Sequence, residues 1–476
     1  MALDEAADAP CEGLSKPGQL GAGRCLHLAE PQRAVRALDI HPDYDPQSGE
    51  PLYDLEWAEI FRDDGLRDLI VKALENNRDM LQAIERIEEA RADSVVARSA
   101  LFPQVDLELQ GEREDESKLT NDNPDQTDEF FFGPSVAWEL DLWGRNRRAS
   151  EAGFRRYLAA EYGARAVRLS LIAEVSSAYF DLQAEESLLQ INMDTLRSRE
   201  RALQIARKRH SGGLTSLLEV KQSEVELAQS RAQIPQLEQS KLKTENRLAI
   251  LLGEPPTHRA LDGELHDQYV PPTVAAGLPA ELLRRRPDVL QAEQELRAAS
   301  EAVGIATAGL LPGIRLTASG GSESDDFDAL LDSDAEFWIL NLDVSMPLFN
   351  AGARRAQLTA AESRFNQSRL AYEQSVLEAL REVSDSLNQF YLAGENLAAL
   401  SDLERASAEY LALARKRYRN GVLAYIDVLD AQRRLLDAQV GVTEARRVQL
   451  KAVVELYKAL GGGWDPAPLE EVAASR

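Results

Sequence analysis

Hydrophobic positions along this chain follow two rhythms that alternate in blocks, and the blocks come twice. Over 144–211 and again over 351–419, apolar side chains recur every three or four residues with almost no proline or glycine. In the later block Val376, Leu380, Val383, Leu387, Phe390 and Leu397 step by 4, 3, 4, 3 and 7, a heptad-like seam. At 1.5 Å per residue, each block predicts a helix of roughly 100 Å. Four short segments between the helical blocks have a period of two instead. In PSVAWELDLW, Val136, Trp138, Leu140 and Leu142 share one face, while Ser135, Glu139 and Asp141 share the other. In WILNLDVSMPL, Trp338, Leu340, Leu342, Val344 and Met346 oppose Asn341, Asp343 and Ser345. QVDLELQ and GIRLTASG alternate likewise, so all four predict strands with one apolar and one polar face.

The blocks recur because the chain is two copies of one unit. NRDMLQAIERIEEARADSVVARSALFP (77–103) aligns with RPDVLQAEQELRAASEAVGIATAGLLP (286–312) at an offset of 209, pairing Asp79 with Asp288, Gln82 with Gln291 and Pro103 with Pro312. ARKRHSGG (206–213) aligns with ARKRYRNG (414–421) at 208, and Gly253 meets Gly461. Each copy predicts a helix, a strand, a polar loop, a strand, a very long helix, a glycine turn and a returning helix. The expected division is an irregular segment 1–56, a first repeat 57–253, a linker 254–279, a second repeat 280–461 and a tail 462–476. The β-hairpins fall at about 102–143 and 312–349, and the helical hairpins at about 144–253 and 350–461. Pro235 is expected to kink the first returning helix. LLGEPP (251–256) ends it.

Segments of about ten residues with Trp and Phe near their ends suit a bilayer-spanning barrel with aromatic girdles. The joining loops, GEREDESKLTNDNPDQTDE and GGSESDDFDALLDSDA, are long and acidic, as expected of an outer face. A half-buried soluble sheet is the alternative reading of the same period. Four strands cannot close a barrel, since the smallest single-chain barrels use eight. Open sheet edges are not tolerated in lipid, so a membrane reading requires several chains to complete one barrel.

Net charge is −26, which argues against a nucleic-acid partner. No run of 18 apolar residues exists, so no transmembrane helix is expected. Residues 1–19 carry neither a basic n-region nor an apolar h-region, so the start as given reads as cytoplasmic, in tension with the strands. Cys11 and Cys25 lie in the irregular stretch; two cysteines support no zinc site or disulfide framework, and neither is assigned as a lipid anchor. The five histidines, at 27, 41, 210, 258 and 266, form no ligand spacing, and no metalloprotease or Walker motif is present. Neither an enzyme nor a cofactor nor a metal site is expected. The rival from another class is a soluble coiled-coil scaffold, which the missing signal favours and the Trp-containing strand pairs oppose.

LPAELLRRRPDVLQAEQELRAA (278–299), with Arg286-Pro287-Asp288 at its centre, carries a family resemblance, as do LDLWGRNRRA (140–149), LLGEPP and RYRNGVLAYIDVLDAQRRLL (417–436). Together with the segment from Trp57 to Asp79, they make the chain resemble the TolC-like outer-membrane factor family, in particular its NodT-type efflux branch, often lipoproteins. The resemblance implies a mainly α fold with membrane β. Three chains each give four strands to a trimeric β-barrel, which continues into a long α-helical coiled-coil tunnel through the periplasm of a Gram-negative bacterium. It further implies an outer-membrane exit duct of a tripartite efflux system. The implied partners are outer-membrane lipid, a periplasmic adaptor (membrane fusion) protein and an inner-membrane RND-type transporter. A type I protein-secretion channel is the alternative within the family, and the cargo, whether drug, metal or solvent, stays open.

The residues matching the family's adaptor-contacting tips are Gly213, Leu214, Thr215, Ser216, Gly421, Val422, Leu423 and Ala424. Those matching its pore constriction are Asp427 and Asp430 in GVLAYIDVLDAQ, whose spacing of three places both on one helix face. The first copy, GLTSLLEVKQSE, keeps only Glu219, with Gln222 in the second place, and is expected on the outer helix pair. Six carboxylates from three chains would make a cation-selective ring. A solvated helix face is the plainer reading of two such aspartates.

Overall fold

The computed structural model describes residues 50–51, 57–115, 126–259, 261, 263–271, 274–275 and 285–462. Cys11, Cys25, loop residues 116–125, the 278–284 part of the Arg-Pro-Asp segment and the tail beyond 462 lie outside the described residues. Helices α1 (Asp64–Asn76) and α2 (Arg78–Ser99) precede strands β1 (Gln104–Asp115) and β2 (Gln126–Glu139). Helix α3 (Arg145–Ser211) runs out and α4 (Leu217–Leu251) returns. The second copy follows as α5 (Pro287–Ala308), β3 (Gly313–Ser324), β4 (Glu336–Ser345), α6 (Ala353–Arg419) and α7 (Tyr425–Ala459). A two-residue parallel bridge joins Glu50–Pro51 to Val274–Ala275.

The repeat is metrically close. Helices α3 and α6 each have 67 residues, and α4 and α7 each have 35. Pro235 lies inside α4 without ending it. It removes one helical donor, but packing against a partner helix supplies most of a helix's stability and carries the element through. Within α6, Val376, Val383, Leu387 and Phe390 of the expected seam are buried, whereas Leu380 and Leu397 are half-buried. Midway along the helices, α1, α3, α6 and α7 enclose the largest core, with Ile70, Tyr179, Leu182, Leu387, Leu456 and Leu460 fully or almost fully buried. Near the turns, Leu203, Ala206, Val220 and Leu227 form one cluster, and Leu411, Ala414, Val428 and Ala431 form its counterpart.

The Arg-Pro-Asp segment is a staple. Pro287 opens α5, where a missing N–H costs nothing. Arg286 is buried and donates to both Asp288 oxygens (3.0 and 2.7 Å), to Glu382 of α6 (2.7 Å) and to the Ala459 carbonyl at the end of α7 (3.0 Å). In the first copy Asn77 caps α2 and donates through Nδ2 to the Leu251 carbonyl at the end of α4, also at 3.0 Å. Equivalent positions thus satisfy the last carbonyls of both returning helices by different chemistry.

The four strands form one antiparallel sheet in the order β1-β2-β3-β4, leaving β1 and β4 as edges. Register puts Val105 opposite Val136, Trp138 opposite Leu316 and Leu316 opposite Leu342 on one face. Asp106, Ser135 and Ser319 share the other. Gly133 sits where the strands come closest. A Cβ there would lie 2.8 Å from the Gly321 Cα and overlap the Gly320 carbonyl, so only glycine fits. On the edge strands Val105, Leu107, Leu109, Trp338, Leu340, Leu342 and Val344 are 60–79% exposed. Isolated apolar side chains on a surface need no explanation, but a contiguous band of this kind does. No helix among the described residues is long and apolar enough to cross a membrane.

One expected pattern is overturned at the sheet's end. Strand β2 stops at Glu139, so Asp141 and Leu142 do not continue its alternation. The Asp141 carboxylate instead accepts from the backbone N–H groups of Asn146 (3.1 Å) and Arg147 (2.9 Å), in the first turn of α3. Unpaired N–H groups at a helix start attract a carboxylate more strongly than a solvated strand face does. Gly144, at φ +75°, makes the turn between them.

Candidate functional site at the turn ends of the helical hairpins

Both long helices end in the same six-residue device. Leu214 N–H donates to the Arg209 carbonyl and Gly213 N–H to that of His210, each at 2.9 Å. Val422 repeats this with Arg417, and Gly421 with Tyr418, each at 3.0 Å. This closure needs a left-handed residue after the helix, supplied by Gly213 (φ +71°) and Gly421 (φ +73°). No atom lies within 4 Å of where a Cβ would be built on either glycine. The next residues, Leu214 and Val422, are each 73% exposed. Thr215 and Ser216, and Leu423 and Ala424, then lead into α4 and α7. All eight tip residues therefore sit at two matching turns.

Asp427 lies in the first turn of α7 and Glu219 at the same place in α4, where a carboxylate complements the helix dipole. Asp427 is half-buried, and Asp430 follows one turn on. Asp430 is not a bare carboxylate: Arg434 Nε donates to it at 2.7 Å within the same helix. A guanidinium four residues on thus answers one acid of the pair.

A polar seam that sequence reasoning missed links the two copies just inside the turns. Residues 219, 223 and 226 share one face of α4, and each meets the second hairpin. Tyr418 OH donates to Glu219 at 2.9 Å, and Ser223 Oγ to Tyr425 OH at 2.9 Å. Burial, and then the Glu219 carboxylate, push the Tyr418 phenol up to about 12. Arg209 lies over the same ring at 5.2 Å. The third rung is ionic. Glu226 is 3% exposed and pairs with the buried Arg199 of α3 (3.0 Å) and with Arg433 of α7 (2.9 Å). Arg199 also donates to the Glu226 carbonyl and to Ser230 Oγ, each at 2.8 Å. Burial lowers the pKa of Arg199 against the pull of Glu226, whereas the hydrogen bond to Glu226 raises that of Arg433. Only the Asp430–Arg434 spacing was visible in sequence. The seam's partners are 27 to 207 residues apart.

Nothing in this region is arranged as an acid–base pair, and among the described residues no His/Cys/Asp/Glu group is arranged to hold a metal. What the geometry defines is a pair of rigid hairpin tips, apolar at their ends and locked to each other by polar rungs.

The sequence model for outer membrane efflux proteins matches residues 69–254 and 278–462, one match per copy. The chain belongs to the outer membrane efflux protein family, and is a transport protein of the outer membrane rather than an enzyme. It is 37% identical over 410 residues to the solvent efflux pump outer membrane protein SrpC of Pseudomonas putida, covering 85% of this chain and 87% of that one. It is 33% identical over 423 residues to the outer membrane protein OprJ of Pseudomonas aeruginosa, covering 88% of each. The fold matches the open state of the MtrE outer membrane channel of Neisseria gonorrhoeae with a TM-score of 0.81 at 29% identity, over 90% of this chain and 96% of that one.

Proposed function

We propose that this chain is the exit duct of a tripartite efflux system, working as a homotrimer whose sheets close into one twelve-stranded barrel. The carrying observation is the four-stranded sheet with two unpartnered edges and an exposed apolar band. Edge N–H and C=O groups cannot be left open in lipid, and pairing β1 of one chain with β4 of the next satisfies them all. The polar face then lines the lumen. The two repeats, 57–253 and 280–461, supply paired helical hairpins that continue the duct into the periplasm. Small molecules pass from an inner-membrane RND-type transporter through this passage.

The exposed turns around Leu214 and Val422 are the docking points for a periplasmic adaptor. Asp427 and Asp430 narrow the mouth, with Arg434 tempering the negative ring. The mass of the detergent-purified protein tests the assembly: a trimer is expected. A stable monomer with full strand content would overturn it.

A further inference from the structure

The place where the sheet passes into the helices differs between the two copies in a way that the duct does not require. In each copy an exposed apolar-aromatic pair precedes the long helix, Leu142-Trp143 in the first and Leu348-Phe349 in the second. Arginines follow within the helix's first turns: Arg145, Arg147 and Arg148 in the first copy and the pair Arg354-Arg355 in the second. The first group is neutralised, with Arg145 on Glu139 at 3.2 Å, Arg147 on Asp141 at 3.3 Å and Arg148 on Glu301 at 3.0 Å.

The second pair is not. With Gly144 matched to Gly352, the position of Asp141 is taken by Phe349. Arg354 donates to the Gly309 carbonyl, but among the described residues neither Arg354 nor Arg355 has a carboxylate partner. Both line a cavity of about 430 Å³ together with Leu310, Leu348, Phe349 and Asn350. Leu348 is 90% and Phe349 89% exposed. Within one chain, two guanidiniums without a carboxylate partner among the described residues thus stand beside exposed apolar side chains, in a molecule whose net charge is −26.

We infer that this cavity holds the phosphate of an anionic phospholipid in the periplasmic leaflet, with acyl chains lying along Leu348 and Phe349. The site rests on the membrane placement proposed above, which puts the helix end of the sheet at that leaflet. Guanidinium groups bind phosphate oxygens through paired, charge-assisted hydrogen bonds. Basic clusters at the headgroup level select anionic lipids, while aromatic side chains favour the same depth. A soluble phosphate would gain the charge contacts but nothing from Leu348 and Phe349.

Native mass spectrometry of the full-length trimer, titrated with phosphatidylglycerol or phosphatidylcholine, tests this. Each arginine near an anionic headgroup is worth roughly a factor of five, so R354Q/R355Q is expected to weaken phosphatidylglycerol retention about 25-fold. Phosphatidylcholine retention should barely change. R354K/R355K keeps the charge and should retain the preference for phosphatidylglycerol, which separates charge from misfolding. Equal retention of the two lipids by the parent, or unchanged retention by R354Q/R355Q, would overturn the site. So would displacement of the lipid by an equal concentration of inorganic phosphate, which would mark a soluble-anion site instead. The same spectra report the assembly. A trimer without lipid preference sinks this site alone, while the absence of a trimer sinks the duct reading and this site with it.

Discussion

Arg433 of α7 donates through Nε to the buried carboxylate of Glu226 on α4 at 2.9 Å, across 207 residues of sequence and from one copy of the repeat to the other. Glu226 is shared, because Arg199 of α3 holds it from within the first hairpin. One carboxylate therefore ties three helices just inside the tips, and its two cations are unequal. Arg199 is 7% exposed and Arg433 48%.

That inequality predicts an order of effects. Glu226→Gln leaves Arg199 charged and buried without its counter-charge, a change that costs about 3–5 kcal/mol in comparable sites. Arg433→Gln leaves the inner pair intact and removes a half-exposed partner, which costs about 1 kcal/mol or less. Denaturant unfolding of the purified protein measures both. If the two substitutions cost the same, the inner pair is not what holds this end together.

The Tyr418–Glu219 rung should respond to alkali. Its phenol is raised from an ordinary 10.0 to about 12 in the folded protein. The folded state thus holds this proton more tightly than the unfolded state. The rung's contribution is fully present below pH 10 and is lost as pH rises from 10 to 12. Phenolate absorbance of the Tyr418→Phe protein should lose one late-titrating tyrosine relative to the parent. A Tyr418→Phe protein with an unchanged alkaline transition would count against the rung.

At the tips, Gly421→Trp is expected to abolish efflux while the assembled protein survives. A non-glycine residue at φ +73° is strained by about 1 kcal/mol, and a Cβ added at Gly421 meets no neighbouring group. Complementation of a drug-susceptible host reads the function, and detergent-extracted mass reads the assembly. Resistance equal to the parent's would show that docking takes place elsewhere.

The acidic pair should separate under single substitution. Asp427→Ala removes negative charge alone. Asp430→Ala also releases Arg434, turning a neutral pair into a free cation one turn inside the hairpin tip. Cation selectivity in planar bilayers should fall further for Asp430→Ala than for Asp427→Ala, and Asp430→Ala/Arg434→Ala should recover part of it. A ring of this kind should also be blocked by trivalent cations from the tip side, and the Asp427→Ala/Asp430→Ala protein should not. Identical conductance and selectivity across the series would make the pair a solvated helix face.

The duplication, the two 67-residue helices, the glycine turns and the strand faces as far as Glu139 were legible in the sequence. Each rests on a local period or on a residue type with one backbone preference. The four-strand count alone also carried the argument for several chains, because hydrogen-bonding groups in lipid must be paired whatever the details.

What no local rule contains is which distant group completes a buried charge or an orphaned helix end. Asp141 alternates like a strand residue, yet it caps α3, because the N–H groups of a helix start lie within its reach once the chain turns at Gly144. Asn77 and Arg286 share a place in the repeat but not a chemistry, and only the fold that brings the start of α2 to the end of α4, and the start of α5 to the end of α7, gives each the carbonyl it satisfies. Glu226 reads as one more helix-surface acid until α3, α4 and α7 converge on it. Burial then leaves that carboxylate no partner but protein, and the tertiary structure alone decided which arginines would supply it.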